Sequence, residues 1–174
     1  NLKLGPTASE FETPSAKFHL NLVGELNVRN ALGVVAAAKH CGLKNSQIQS
    51  AFSTFKGIKR RMEIRGIAGG VTVVDDFGHH PTAIRETLKA LRLKFPAQKI
   101  WAIFEPRSNT TRRNVFQQEL VSAFHDADAV IVAQVLRLDQ IAPGERLDPQ
   151  KLMQDLEATA TATAYLADVD AIVD

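Results

Sequence analysis

The stretch "VTVVDDFGHHPTAI" (Val71–Ile84) contains the local pattern from which the fold can be read. An apolar run of strand length ends in two aspartates, a glycine and two histidines, and a helix-like segment begins at Pro81. Proline is favoured at the first position of a helix, where its missing N–H costs no hydrogen bond. The stretch therefore predicts a strand, a polar turn and a helix in succession, with Gly69 and Gly70 forming a tight turn before the strand.

The same alternation continues towards the end of the chain. Two more apolar runs of strand length are "KIWAIF" (Lys99–Phe104) and "AVIVA" (Ala129–Ala133), and amphipathic segments precede both of them. A helix is predicted at Pro149–Glu157 and a short strand near Ala164–Leu166. Apolar strands that alternate with helices indicate βαβ units, so we expect a Rossmann-like α/β fold with a mostly parallel sheet.

The first third of the chain has a different pattern. Residues 1–17 are polar and are predicted to form a loop, and Phe18–Val23 alternates like a half-buried strand. The segment Leu26–His40 is apolar on nearly every side, so it is predicted to be a deeply buried helix that ends at Gly42. A second helix is expected to start with a capping box formed by Ser46 and Gln49.

These patterns suggest a boundary near residues 56–60. Residues 1–56 hold one strand and two helices, which is too little for a separate domain, so we expect them to be the tail of a preceding domain. Residues 57–174 form the α/β domain, and a chain end inside a helical turn suggests that its last elements are missing.

Composition narrows the class of protein. The chain has 174 residues, 45% hydrophobic residues and a net charge of +2, which is typical of a globular protein and gives no basic field for nucleic acid. No apolar run is as long as a membrane span. The single cysteine, Cys41, lies in an Ala/Val-rich segment and is predicted to be a buried thiol, which fits a cytoplasmic location.

Polar residues gather where two predicted strands end. The segments Asp75–His80 and Glu105–Thr110 follow apolar runs, and ligands of open α/β sheets bind at the carboxyl ends of the strands. The acidic pair and the histidines could be helix caps, an acid–base site or a metal site. A zinc site is disfavoured, because neither a HExxH pattern nor a Cys-rich spacing is present.

Two amides and two arginines lie outside these turns. Asn27 and Asn30 are three residues apart and share one face of the first helix, where they could satisfy backbone groups or read the edge of a purine. Arg60 and Arg61 follow the proposed boundary and have the geometry to bind phosphate. None of these features is specific alone.

Taken in order, three stretches resemble the ATP-dependent Mur ligases of bacterial cell-wall synthesis. They are "GELNVRN" (Gly24–Asn30), "RRME" (Arg60–Glu63) and "DDFGHHP" (Asp75–Pro81). One position departs from the family pattern, because Leu26 occupies the place of a histidine. The resemblance implies a central ATPase domain ending in the first stretch and a Rossmann-like C-terminal domain after the second.

The resemblance also implies roles for individual residues. The positions that match nucleotide contacts are Asn27, Asn30, Arg61 and Asp76. The positions on the side of the incoming amino acid or peptide are His79, His80, Arg107, Ser108, Asn109 and Thr110. It implies no metal ligand in this chain, and Arg112 or Arg113 could add to the binding of an acceptor carboxylate.

The stretch "FEPRSNT" (Phe104–Thr110) resembles the family members that join UDP-N-acetylmuramate to the tripeptide L-alanyl-γ-D-glutamyl-meso-diaminopimelate. The resemblance implies ATP and Mg²⁺ as cofactors, an acyl phosphate intermediate and domain closure over the nucleotide. No GxxxxGK[ST] stretch is present, so this chain alone is expected to be inactive and to need N-terminal and central domains. The alternatives left open are an L-alanine ligase of the same family, a non-catalytic nucleotide- or peptide-binding module, and a metal-dependent phosphoesterase.

Overall fold

The computed structural model describes residues 1–159, 161–167 and 169–173. Contacts divide the chain into two compact units, Asn1–Phe77 with Lys89–Pro96, and Gly78–Leu88 with Ala97–Asp174. The elements, in chain order, are β1 (Leu2–Leu4), β2 (Ser9–Thr13), β3 (Ala16–Leu20), α1 (Glu25–His40), α2 (Asn45–Thr54), β4 (Glu63–Ala68), β5 (Val71–Asp75), α3 (Pro81–Lys94), β6 (Trp101–Phe104), α4 (Gln117–Ala123), β7 (Ala129–Ala133), α5 (Pro149–Glu157), β8 (Ala162–Leu166) and α6 (Val169–Val173).

An antiparallel sheet in the order β1-β2-β3 begins the first unit. The prediction of a loop over residues 1–17 is wrong, because the polar residues of this segment alternate with apolar ones that face a core. Phe11 on β2 pairs directly with Phe18 on β3, and both side chains are buried. The signal was present in the alternation of "SEFET", which is typical of a strand with one solvated face.

The helices α1 and α2 complete this core. Three phenylalanines lie at its centre, with ring centroids of Phe11 and Phe18 5.3 Å apart and those of Phe18 and Phe52 5.9 Å apart. Aromatic pairs at these distances contribute about 0.5–1.5 kcal/mol beyond the apolar area that they bury. The buried residues of the cluster are Phe11, Phe18, Leu20, Val28, Ala31, Val35, Ile48 and Phe52.

Helix α1 is buried on one side only, which corrects the prediction of burial on nearly every side. Its buried residues are Val28, Ala31 and Val35, whereas Leu32 is 41% exposed and Val34 is 52% exposed. Cys41 is also exposed, so the prediction of a buried thiol is wrong. An Ala/Val-rich helix gives little contrast between its faces, and its sequence alone therefore did not show which face would be covered.

The start of α2 differs from the predicted capping box. The side-chain oxygen of Gln47 accepts the backbone N–H of Lys44 at 2.8 Å, so the helix starts two residues earlier than Ser46 and Gln49 implied. Gln49 instead donates to the backbone carbonyl of Lys17 at 2.7 Å and ties α2 to β3.

Strands β4 and β5 form an antiparallel hairpin. Gly69 and Gly70 connect them with φ values of 56° and 78°, and two consecutive positive φ angles are the requirement of a type I′ turn. This confirms the predicted turn. The stretch that follows β5 therefore leaves an antiparallel pair, not a strand of the parallel sheet.

The second unit contains the predicted parallel sheet, in the order β6-β7-β8. Val130 and Val132 on the middle strand β7 are fully buried. Leu120 of α4 and Leu152 and Leu156 of α5 are fully buried as well, since a parallel sheet needs apolar cover on its faces. The fold is α/β, as predicted.

Gln117 and Asp148 tie the start of α4 to the start of α5. The amide of Gln117 donates to the carbonyl of Asp148 at 2.9 Å and accepts its N–H at 2.9 Å, so a buried amide is satisfied on both sides. The carboxylate of Asp148 caps α5 by accepting the N–H of Lys151 at 3.0 Å. These contacts fix the loop before α5.

Candidate functional site

Arg61 lies on an unusual loop. We call residues 58–63 the Arg61 loop. Arg60 and Met62, on either side of Arg61, have φ angles of 57° and 49°, which are left-handed values that cost a residue with a side chain about 1–2 kcal/mol. Two residues with left-handed backbone angles, separated by only one residue, persist only where surrounding contacts hold them.

Three hydrogen bonds provide that support. The N–H of Met62 donates to a carboxylate oxygen of Asp76 at 2.9 Å, and the N–H of Phe77 donates to the carbonyl of Arg60 at 2.9 Å. The N–H of Arg60 donates to the carboxylate of Glu63 at 2.8 Å. The Asp76 carboxylate, which the sequence associated with nucleotide binding, is therefore also part of the support of the Arg61 loop.

Charge and aromatic contacts add to these hydrogen bonds. The guanidinium carbon of Arg60 lies 4.9 Å from the ring centroid of Phe77, and that of Arg61 lies 6.0 Å from the same centroid. The Nε atom of Arg60 lies 3.5 Å from a carboxylate oxygen of Asp75. The N–H of Arg60 also lowers the pKa of Glu63 below its ordinary value, an effect that burial opposes. The loop presents Arg61, which is exposed, on an ordered backbone.

Asn27 and Asn30 have different surroundings in the structure. Asn27 is half-buried, and its side-chain amide donates to the backbone carbonyl of Val23 at 2.8 Å, which is the structural role that the sequence left open. Asn30 is exposed. Leu26, which occupies the place of a histidine in the Mur ligase pattern, is 41% exposed.

Gly24 is required where it stands, before α1. It has a φ angle of 97°, and a Cβ atom added there would lie 2.7 Å from the Cβ of Ala90. Such a distance is too short for two carbon atoms in contact. The glycine of "GELNVRN" thus fixes the start of α1 for reasons of packing and backbone conformation.

The two histidines of "DDFGHHP" both lie on the surface. His80 caps α3, because its Nδ1 accepts the N–H of Thr82 at 3.2 Å and its carbonyl accepts the N–H of Ile84 at 3.0 Å. Its ring also packs edge-on against Phe116 with centroids 4.6 Å apart. A ring that accepts at Nδ1 carries its proton on Nε2, which is left to donate to a ligand. His79 is exposed.

Ser108 and Thr111 build the turn after β6. The hydroxyl oxygens of Ser108 and Thr111 lie 2.8 Å apart, the N–H of Ser108 donates to the Thr111 hydroxyl at 3.1 Å, and the N–H of Thr111 donates back to the Ser108 hydroxyl at 3.1 Å. Thr111 is only 1% exposed. Ser108 is consequently engaged within the turn, and Thr111, which the sequence analysis did not select, is its partner.

Two arginines after this turn have partners. The side-chain oxygen of Asn109 accepts a hydrogen bond from Arg112, and Glu145 forms an ion pair with Arg113. They precede a short 3-10 helix at Asn114–Phe116. Thr110 is exposed, and its carbonyl accepts the N–H of Arg113 at 3.1 Å.

The remaining predicted acceptor residue, Arg107, lines a cleft together with Arg112. The residues predicted to contact nucleotide belong to the first compact unit, and those predicted to contact the acceptor belong to the second. Among the residues that the structure describes, no group of three or more His, Cys, Asp or Glu side chains is arranged to hold a metal ion. None of the described helices has the length and apolarity needed to cross a membrane.

The parallel sheet, with helices packed on it and a polar turn beyond β6, gives the second unit a Rossmann-like α/β fold. Residues 60–174 match the family model described as "Mur ligase, glutamate ligase domain". The chain belongs to the Mur ligase family.

Several relatives match most of the chain. It is 36% identical to the UDP-N-acetylmuramate–L-alanyl-gamma-D-glutamyl-meso-2,6-diaminoheptandioate ligase of Escherichia coli K12. The alignment has 178 positions and covers 99% of this chain. It is 41% identical over 133 residues, or 76% of its length, to a UDP-N-acetylmuramate–L-alanine ligase of Pelobacter propionicus. The chain covers 37% of the first relative and 28% of the second, so each relative is much longer than this chain.

A solved structure supports the fold. The crystal structure of a murein peptide ligase from Psychrobacter arcticus 273-4 matches with a TM-score of 0.66 and 30% sequence identity. The match covers 99% of this chain and 37% of that protein. Both compact units therefore have counterparts in a Mur ligase of known structure.

Proposed function

We propose that the chain is part of an ATP-dependent ligase that joins UDP-N-acetylmuramate to the tripeptide L-alanyl-γ-D-glutamyl-meso-diaminopimelate. The observation that carries the proposal is the 36% identity, over 99% of the chain, to a ligase whose name gives these two substrates. The stretch Phe104–Thr110 supports the same acceptor by its resemblance to ligases of this type. The reaction takes place in the cytoplasm and returns cell-wall peptides to peptidoglycan synthesis.

The proposal assigns residues 1–56 to the end of a central ATP-binding domain and residues 57–174 to a C-terminal Rossmann-like domain. The family match, which begins at residue 60, supports a boundary near this point. The P-loop and the UDP-binding residues would be supplied by other parts of the full-length protein. The chain alone is accordingly proposed to be inactive.

On the nucleotide side, we assign Asp76 to the ribose of ATP, Arg61 to its phosphates, and Asn27 and Asn30 to its adenine region. The contact between Asp76 and the Arg61 loop supports a joint role, because a single carboxylate then orders the arginine and meets the nucleotide. An arginine held on an ordered loop loses less conformational entropy when it binds a phosphate. The exposure of Asn30 leaves its amide accessible to a ligand.

On the acceptor side, we assign direct contacts to His79, His80 and Arg107. Nε2 of His80 can donate to a carboxylate or carbonyl oxygen while Nδ1 remains bound to the helix start. Ser108, Asn109 and Thr110 would act indirectly, since the first two are engaged in the turn and with Arg112. This refines the expectation that all six residues of the two turns contact the acceptor.

The proposed chemistry has two steps. The lactyl carboxylate of UDP-N-acetylmuramate attacks the γ-phosphorus of ATP and releases ADP, which leaves an acyl phosphate. The tripeptide amine then attacks the acyl carbon, and the tetrahedral intermediate expels phosphate as the amide forms. Mg²⁺ would neutralise charge on the phosphates. The described residues form no carboxylate or histidine cluster for it, so we assign no magnesium ligand to this chain.

Phosphate release by the full-length protein tests the proposal. We expect release only when ATP, UDP-N-acetylmuramate and the tripeptide are all present, with a product whose mass equals that of the two substrates minus water. Omission of each substrate in turn is the control. Release of phosphate from a phosphoester without ATP would contradict the ligase and favour phosphoesterase chemistry.

A second candidate is a ligase that uses free L-alanine as the acceptor. The 41% identity to the Pelobacter propionicus L-alanine ligase over 76% of the chain favours it. Initial rates with L-alanine and with the tripeptide, each varied against fixed ATP and UDP-N-acetylmuramate, distinguish the two. A higher kcat/KM for L-alanine would replace our first assignment by this one.

A further inference from the structure

The peptide unit that leads into Arg61 is held at both of its polar groups. The carbonyl of Arg60 accepts the N–H of Phe77 at 2.9 Å, and the N–H of Arg61 donates to the carbonyl of Ile58 at 3.2 Å. A peptide unit is planar, so two hydrogen bonds to its opposite sides fix its orientation. The bond that enters the Cα atom of Arg61 therefore has a defined direction.

Two carboxylates bind the N–H groups of the residues on either side of Arg61. The N–H of Arg60 donates to Oε2 of Glu63 at 2.8 Å, and the N–H of Met62 donates to the carboxylate of Asp76 at 2.9 Å. Both donors belong to residues with left-handed φ angles, which persist only while such contacts hold them. Glu63 thus acts on the residue before Arg61 as Asp76 acts on the residue after it.

The side chains of the two adjacent arginines differ in their contacts. The guanidinium group of Arg60 packs on the ring of Phe77 and lies 3.5 Å from a carboxylate oxygen of Asp75. Arg61 is exposed, and its guanidinium group makes no hydrogen bond or ion pair within the part of the chain that the structure describes. Arg61 is consequently the arginine of this pair that is left to bind an anion.

The two oxygens of Glu63 have separate partners. Oε2 accepts the N–H of Arg60, whereas Oε1 accepts from Nη1 of Arg65 at 3.2 Å. The Arg65 side chain is 57% exposed, and an exposed ion pair of this kind contributes little to stability. The effect of Glu63 on the loop therefore comes mainly from the hydrogen bond to Oε2.

We infer that Glu63 is a positioning residue for the nucleotide, which acts through Arg61 by fixing the backbone that carries it. The inference rests on the proposed function, in which Arg61 binds the phosphates of ATP, and adds a residue that does not itself contact the nucleotide. An arginine on a fixed backbone loses less conformational entropy when it binds a phosphate. Without the Glu63 carboxylate, the left-handed turn at Arg60 relaxes, and binding must then order the loop.

The test measures binding of a non-hydrolysable ATP analogue to the full-length protein by calorimetry, so it requires no turnover. Glu63→Ala removes the acceptor, whereas Glu63→Gln keeps an oxygen acceptor in its place. Arg61→Ala removes the guanidinium group and is also combined with Glu63→Ala. Arg65→Gln is the matched control, since it removes the other partner of the same carboxylate.

We expect Glu63→Ala to weaken binding of the analogue about three- to ten-fold, because the loop must be ordered when the phosphates bind. Glu63→Gln and Arg65→Gln should stay within about two-fold of the wild type. In the Arg61→Ala background, Glu63→Ala should change the affinity by less than about two-fold, because residues that act through one another are not additive. Equal losses in both backgrounds would mean that Glu63→Ala disturbs the structure generally, and would overturn the inference.

The same measurements separate this inference from the proposed function. Weaker binding to Arg61→Ala together with unchanged binding to Glu63→Ala overturns the inference and leaves the proposed role of Arg61 intact. Unchanged binding to Arg61→Ala, or no binding to the wild type, contradicts the proposed phosphate contact and overturns the inference as well. Hydrogen exchange of the Arg60 amide reports on the loop itself, and Glu63→Ala should speed it whereas Arg65→Gln should not. Equal exchange rates in these two variants and the wild type would also overturn the inference.

Discussion

The support of the Arg61 loop by Asp76 can be tested by replacing the carboxylate. In Asp76→Ala, the N–H of Met62 loses the acceptor that lies 2.9 Å away. A hydrogen bond to a charged group contributes about 1.5–3 kcal/mol when buried. Because both residues are partly exposed, water replaces part of this hydrogen bond in the variant. We therefore expect the free energy of local opening at Met62 to fall by about 1–2 kcal/mol. The left-handed backbone of Met62 opposes the bond and makes local opening easier once the acceptor is gone.

Hydrogen exchange of the full-length protein measures this loss directly. A loss of 1–2 kcal/mol corresponds to about 5- to 30-fold faster exchange of the Met62 amide. Asp76→Asn keeps an oxygen acceptor and should lose less than half of the effect. Met62→Gly removes the backbone strain, so adding it to Asp76→Ala should restore part of the protection. The same exchange rate in Asp76→Ala and the wild type would refute the claim that this carboxylate holds the loop.

Three other predictions concern the residues that fix the local structure. Gly24→Ala should lower the free energy of unfolding by about 2–4 kcal/mol, because of the positive φ at this position and the clash with Ala90. Adding Ala90→Gly to it should recover only the part that is due to the clash. Urea unfolding measures the free energy of unfolding of both variants. His80→Ala should lower the free energy of unfolding by about 1 kcal/mol and speed hydrogen exchange of the Thr82 amide, whereas His80→Asn should keep the helix cap. Equal exchange of the Thr82 amide in the two variants would contradict the capping role of His80. Glu63 should titrate below its ordinary pKa of 4.5 in a carbon-detected NMR titration. Since the folded pKa is the lower one, its stabilisation is present above pH 4.5 and is lost as pH falls through the folded pKa, and a midpoint at or above 4.5 would contradict this.

The α/β part of the fold was predictable because its local signals agree with one another. The apolar run at Ala129–Ala133 and the helical segment at Pro149–Glu157 correspond residue for residue to β7 and α5, since turn and cap residues flank them closely. The antiparallel strands of residues 1–17 were missed because they are short and polar on one face. Their pairing depends on Phe11 and Phe18, which meet only in the folded chain.

The candidate site was predictable only in part. The stretches that contain Arg61 and Asp76 could be recognised by their resemblance to motifs of the Mur ligases. The hydrogen bond between Met62 and Asp76, however, joins residues 14 positions apart, and no sequence pattern indicates it. Thr111 was missed for a different reason. Its hydroxyl meets that of Ser108 only within the folded turn after β6, and no motif indicates this contact.

The central claim is that this chain serves an ATP-dependent ligase that activates a carboxylate as an acyl phosphate. The direct test supplies the full-length protein with UDP-N-acetylmuramate labelled with ¹⁸O in the lactyl carboxylate, together with ATP and the tripeptide. When the amine displaces phosphate from the acyl carbon, one labelled oxygen leaves with the phosphate. We expect one ¹⁸O atom in the inorganic phosphate for each amide formed. Unlabelled phosphate accompanying amide formation would contradict it.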